Sequence, residues 1–142
     1  MIMALDLGDA RTGVAFSDVA ELLAGQAYSI TEYNKEKLLE TLCRLAEERR
    51  PRRIVAGLPI NMDGSEGPRA QAARAFAQAL EAACGVETDL WDERMTSVMA
   101  NRILSQAGKK RGKQRRQVDA VAASLILQSY LDSGRAARPI QR

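Results

Sequence analysis

With 142 residues, 46% hydrophobic and 27% charged side chains and a formal charge of +3, the chain has the size and make-up of one globular domain around one core. No apolar run approaches the roughly 18 residues that cross a bilayer. The apolar opening Met1-Ile2-Met3-Ala4-Leu5 is cut short by Asp6 with no basic leader segment, so a secretory signal and a membrane partner are excluded and a cytoplasmic location is expected. Histidine is absent, which rules out Ser-His-Asp and Cys-His catalysis, HExxH zinc chemistry and histidine general bases. Hydrolysis by such a chain has to use carboxylates with a metal, or Lys, Tyr or Cys.

In chain order, residues 1–7 read as an apolar strand. Gly8-Asp9-Ala10-Arg11-Thr12-Gly13 is a turn and residues 14–17 a second strand, so the pair forms a hairpin. Residues 26–30 form a third extended piece. Asn34 caps a helix whose apolar positions Leu38, Leu39, Leu42, Leu45 and Ala46 recur at helical spacing until Pro51 ends it. Residues 53–57 make a short buried strand, followed by a loop from Leu58 to Gly64. Pro68 opens a second helix with Ala72, Ala73, Phe76, Leu80 and Ala83 on one face. Residues 86–91 are the fifth strand, and Thr96 caps a third helix that runs to Ala107 and closes at Gly108. Residues 118–131 form a last helix, apolar nearly all round and therefore expected to be buried. Only the tail from residue 133 to 142 reads as loosely held. Three meandering strands followed by alternating helices and strands predict a single α/β domain over 1–142, a five-stranded mixed sheet flanked by helices. Cys43 and Cys84 lie far apart without a CxxC or a Cys/His cluster and read as small hydrophobes.

Charge is unevenly spread. Residues 109–116 carry Lys109, Lys110, Arg111, Lys113, Arg115 and Arg116, while the rest of the chain has a slight acidic excess. A cationic loop of this kind suits a polyanion, so these six side chains are candidate nucleic-acid contacts.

Three acids stand at the ends of elements. Asp6 closes an apolar strand, on the opposite face from Leu5 and Leu7, where a carboxylate is costly unless paired or metal-bound. In Asp92-Glu93, strand alternation sets Glu93 on the side of Trp91 and Asp92 on the side of Leu90, so that one faces a site while the other caps or pairs. Asp119 begins the most apolar helix, where it serves either the helix N-terminus or a metal. Carboxylates from two strand ends and one helix start suit Mg²⁺ or Mn²⁺, which activates water for in-line phosphodiester hydrolysis without histidine. The spacing of Gly8 and Gly13 imitates a P-loop, but Val14-Ala15 stands where Lys-Ser/Thr is required.

Four segments together resemble the YqgF/RuvX family: Asp6-Leu7-Gly8-x-x-Arg11-Thr12-Gly13-Val14-Ala15, Gly57-Leu58-Pro59-x-Asn61-x-Asp63-Gly64, Asp92-Glu93-Arg94-x-Thr96-Ser97 and Val118-Asp119-Ala120-x-Ala122-Ala123. That family comprises bacterial RNase H-like proteins, described as candidate pre-16S rRNA nucleases and as candidate Holliday junction resolvases. The resemblance spans Met1 to about Leu131 and implies an RNase H-like fold. It also implies Asp6, Glu93 and Asp119 as the catalytic, metal-binding acids, with Arg11 and the loop through Asn61 lining the site or contacting the nucleic-acid backbone. The expected function is metal-dependent cleavage of structured nucleic acid, as in 5′-end processing of pre-16S rRNA during ribosome biogenesis, by a monomer or homodimer. The alternatives are resolution of branched DNA in recombination and a non-catalytic nucleic-acid-binding factor.

Overall fold

The computed structural model describes residues 1–96 and 113–140, with side chains except at 113–117. Its strands are β1 (Ile2–Asp6), β2 (Arg11–Ser17), β3 (Ala24–Thr31), β4 (Arg53–Leu58) and β5 (Thr88–Asp92). Its helices are α1 (Lys35–Arg49), α2 (Pro68–Cys84) and α3 (Lys113–Asp132), with short 3₁₀ turns at Glu93–Met95 and Arg135–Ala137.

The five strands form one mixed sheet in the order β3-β2-β1-β4-β5. The β1–β2 and β2–β3 pairs are antiparallel, whereas β1–β4 and β4–β5 are parallel. This is the expected α/β architecture. The central strand β1 is buried on both faces, which is why it reads as a continuous apolar run and does not alternate. Ile2 and Ala4 pack with Ala15, Val55 and the α3 residues Ala122, Ala123, Ile126 and Leu127. Met3 and Leu5 pack on the other face with Val14, Phe16, Ile54, Leu38, Leu42 and Leu80, beneath α1 and α2.

Asn34 caps α1 as expected, its side chain accepting from the Lys37 N–H. Several other expectations are corrected. The buried face of α2 is Ala70, Ala73, Ala77 and Leu80, while Ala72 and Ala83 are exposed. Alanine occupies nearly every side of this helix, so the hydrophobic pattern had too little contrast to fix its rotation. The last helix starts at Lys113, not at residue 118, so the basic stretch runs into a helix and is not all loop. Over residues 118–131 that helix is substantially buried as expected, with Val121 on its outer side 45% exposed. Cys43 and Cys84 come together, and burial with the neighbouring Cys84 thiol pushes the Cys43 thiol above its ordinary pKa.

The tail is not uniformly loose. Arg135 is bonded through Nε and Nη2 to the Asp89 carboxylate at 3.0 and 3.2 Å, and Ala136 is buried. Asp89 also accepts from the Tyr130 hydroxyl at 2.8 Å, and that hydroxyl accepts from Arg53 Nη1 at 3.1 Å. The expected helix over 96–107 lies outside the described residues apart from Thr96. Thr96 donates from its backbone N–H and its hydroxyl to the Glu93 carbonyl. Among the described residues no helix is long and apolar enough to cross a membrane.

Candidate active site

The parallel strands β1, β4 and β5 all end on one side of the sheet, at Asp6, Leu58 and Asp92. Ligands of open α/β sheets gather outside such carboxyl ends. Asp6 shares a face with Ala4 and so points toward α3, where it is only 4% exposed. Two glycines flank it. Gly13 of β2 is its register partner, and Gly57 of β4 lies one step beyond the Leu5–Ala56 pair.

Both glycines make room for a neighbour. A Cβ at Gly13 would overlap the backbone carbonyl of Asp119, so this position lets α3 settle onto the sheet. A Cβ at Gly57 would stand 2.7 Å from Glu93 Oε1 and 2.6 Å from Ile126 Cδ1. The two glycines therefore bring Asp119 and Glu93 in from either side of Asp6.

Glu93 sits just past β5, in the 3₁₀ turn, and is only 2% exposed. Asp92 takes the other role foreseen for this pair. It caps the turn by accepting from the Arg94 N–H at 2.9 Å and pairs with the Arg94 guanidinium at 2.7 Å. Those bonds hold the Asp92 carboxyl below the ordinary carboxylate range. Asp119, in the early part of α3, accepts from Arg11 Nε at 2.9 Å. Arg11 and Asp119 thus tie β2 to α3, although the sequence separates them by 108 positions.

Asn61 and Glu93 line one cleft of about 460 Å³ together with Pro59, Gly67 and Arg69. The Asn61 amide donates to Ser65 Oγ at 3.0 Å and so braces its own loop. Gly64, at φ 90°, closes that loop facing Arg94: a Cβ there would lie 3.7 Å from Nη1. Lys109, Lys110 and Arg111 lie outside the described residues. Lys113, Arg115 and Arg116 belong to the first turns of α3, and their side chains are likewise undescribed.

The donors suit a hard divalent cation, since all are carboxylate oxygens and two of the three acids are buried. Among the described residues, however, no three His, Cys, Asp or Glu side chains stand close enough together to hold a metal ion. Asp119 is instead engaged by Arg11.

Residues 1–133 match the family model described as RuvX: Holliday junction resolvase. The chain belongs to the RuvX family. Relatives named as candidate pre-16S rRNA nucleases are similar over nearly its whole length. The Chloroflexus aggregans protein is 43% identical, covering 94% of each chain. The Myxococcus xanthus protein is 44% identical, covering 94% of this chain and 88% of its own. The fold is that of RuvC from Thermus thermophilus, with a TM-score of 0.56 at 13% identity over 94% of this chain and 96% of that one. A second RuvC structure, in complex with a Holliday junction substrate, gives 0.57 at 11% identity over 94% and 95%. The RNase H-like expectation is thereby met. Hydrolysis of nucleic-acid ester bonds, the expected reaction class, is what the family description and the relatives' names carry.

Sequence reasoning passed over two cations beside this site, Lys35 and Arg69. A signal was present: each is a basic residue in the first turn of a helix, where the macrodipole disfavours positive charge.

Proposed function

We propose that this RuvX-family chain is a cytoplasmic, Mg²⁺- or Mn²⁺-dependent nuclease that cleaves structured RNA of the pre-16S rRNA class, with Asp6, Glu93 and Asp119 as its catalytic acids. The observation that carries the reading is the burial of Asp6 and Glu93 on one face at the strand ends, with Gly13 and Gly57 cleared on either side. Carboxylates beside a bound phosphate repel it unless a cation intervenes. This weighs against a binding factor without catalysis.

Asp6 and Glu93 would hold the metal, and Asp119 would join them. Bound there, the metal supplies an activated water and stabilises charge on the phosphate oxygens. The chain's own groups do the rest. Arg11 holds the Asp119 carboxylate. A substrate phosphate competes for that guanidinium, so binding of nucleic acid and release of Asp119 are coupled. The Asn61 loop walls the Glu93 side of the cleft, and the basic residues from 109 to 116 add affinity for the backbone.

Relatives of 43 and 44% identity favour the RNA substrate. The family description favours the second reading, a four-way DNA junction. A cleavage assay on a precursor-type structured RNA and on a four-way junction, with Mg²⁺, Mn²⁺ or EDTA, decides. Cutting of the RNA only with metal is expected. Cutting of the junction alone selects the second reading, and cutting undiminished in EDTA removes the carboxylate–metal reading.

A further inference from the structure

A second cleft, of about 410 Å³, shares Pro59 and Arg69 with the Glu93 cleft. Its wall begins at Leu7 and Gly8, the two residues that follow Asp6. Its lining is mostly apolar, from Leu7, Ala72, Ala73 and the half-buried ring of Phe76. Two cations line it: Lys35 from the first turn of α1 and Arg69 from the first turn of α2. Neither has an acidic partner among the described residues; Lys35 Nζ donates to the neutral Gly8 carbonyl at 2.6 Å. The exposed carboxylate of Asp9 also lines the cleft and would oppose an anion at its own edge.

We propose that this cleft is a subsite for one unpaired nucleotide of the substrate strand, next to the phosphate that is cut. The inference rests on the nuclease reading above for its substrate class. An apolar wall with an aromatic ring accepts the face of any base, and cations beside it hold the flanking phosphates. A space of about 400 Å³ lies in the range of small-molecule sites and is too small for a base-paired helix. Arg69 lines both clefts, so one strand running past Pro59 meets the same guanidinium on its way from the acids to the nucleotide subsite. The two first-turn cations have a reason here. Each is unfavourable against the helix macrodipole, and a bound phosphate offsets that.

The test measures binding of the full chain to two fluorescent RNA hairpins, one blunt and one with a three-nucleotide single-stranded overhang. Ca²⁺ replaces Mg²⁺ in the binding buffer, and cleavage in Mg²⁺ is followed in parallel. The wild-type chain is expected to prefer the overhang. The Lys35→Ala/Arg69→Ala variant should lose that preference, with a salt dependence on the overhang RNA shallower by about 1 to 1.5 units of log affinity per log salt. Lys35→Arg/Arg69→Lys should retain it. Ala72→Glu, at an exposed lining position, adds an anion to the apolar wall and should lose it while both cations remain. No preference in the wild type, an equal loss on both hairpins, or an Ala72→Glu variant that still prefers the overhang would overturn the subsite. Failure of the wild type to cleave, with the binding pattern as expected, would instead remove the nuclease reading and leave the subsite standing.

Discussion

Gly57 lies on β4 against the carboxylate of Glu93: a Cβ at this position would stand 2.7 Å from Oε1. The second obstacle, Ile126 Cδ1, is also the far end of a side chain. Gly57→Ala can therefore be absorbed by rotating Glu93 and Ile126, at a stability cost of about 1–3 kcal/mol. Glu93 would then leave its position beside Gly57. The expected result is a folded protein whose cleavage rate falls by much more than its urea midpoint. A wild-type rate in Gly57→Ala would show that the position of Glu93 is not critical.

Gly13 should behave differently. The atom that a Cβ would meet there is the backbone carbonyl of Asp119, which has no rotamer to yield. Gly13→Ala must lift α3 from β2, so the main effect is loss of stability, larger than at Gly57 and visible in the urea midpoint. Equal midpoints for the two variants would contradict this account of how α3 is seated.

The acids themselves give a ranking. Asp6→Asn and Glu93→Gln keep the side-chain size and remove a charge, and should abolish cleavage with folding intact. Asp92→Asn should mainly loosen the 3₁₀ turn, since Asp92 is spent on the Arg94 N–H and guanidinium. Measured in Mg²⁺, a greater loss from Asp92→Asn than from Glu93→Gln would reverse the assignment.

The legible part of this site came from contrasts that a linear pattern can carry. Asp6 interrupts an apolar strand, Glu93 follows a strand end, and both stand with Asp119 within family motifs. Element types and their succession along the chain followed from periodicity and turn signals. What stayed hidden depends on packing between distant segments. The roles of Gly13 and Gly57 need to be seen against α3 and the 3₁₀ turn, and the Arg11–Asp119 pair joins residues with no local relation. The same holds for Arg135 on Asp89, which ties down a stretch that composition alone made look loose.

Alkaline stability should report on Tyr130. Its burial, with the Asp89 carboxylate beside its hydroxyl, raises its pKa from an ordinary 10.0 to about 12. Because the folded value is the higher one, the contribution is fully present below pH 10 and is lost as pH rises through about 12. Urea midpoints of the wild type should fall across this window more steeply than those of Tyr130→Phe. That variant should be less stable at pH 7, having removed a donor from buried Asp89. Parallel curves would assign the alkaline loss to other groups.

Arg11 tests the coupling between substrate and site. In the structure its guanidinium competes with any cation for the Asp119 carboxylate. Removing it should therefore have opposite effects on the two ligands. Arg11→Ala should bind Mn²⁺ more tightly than the wild type in the absence of nucleic acid, as measured by titration calorimetry. It should bind RNA more weakly, because a phosphate contact is gone. Arg11→Lys keeps the charge without the planar fork and should fall between the two in both measurements. If Arg11 only propped α3 against the hairpin, Arg11→Ala would lower stability and weaken both ligands together, and tighter Mn²⁺ binding would not appear. A Mn²⁺ affinity that is unchanged or weaker, alongside an intact fold, would separate Arg11 from the metal site and leave it as a phosphate contact alone.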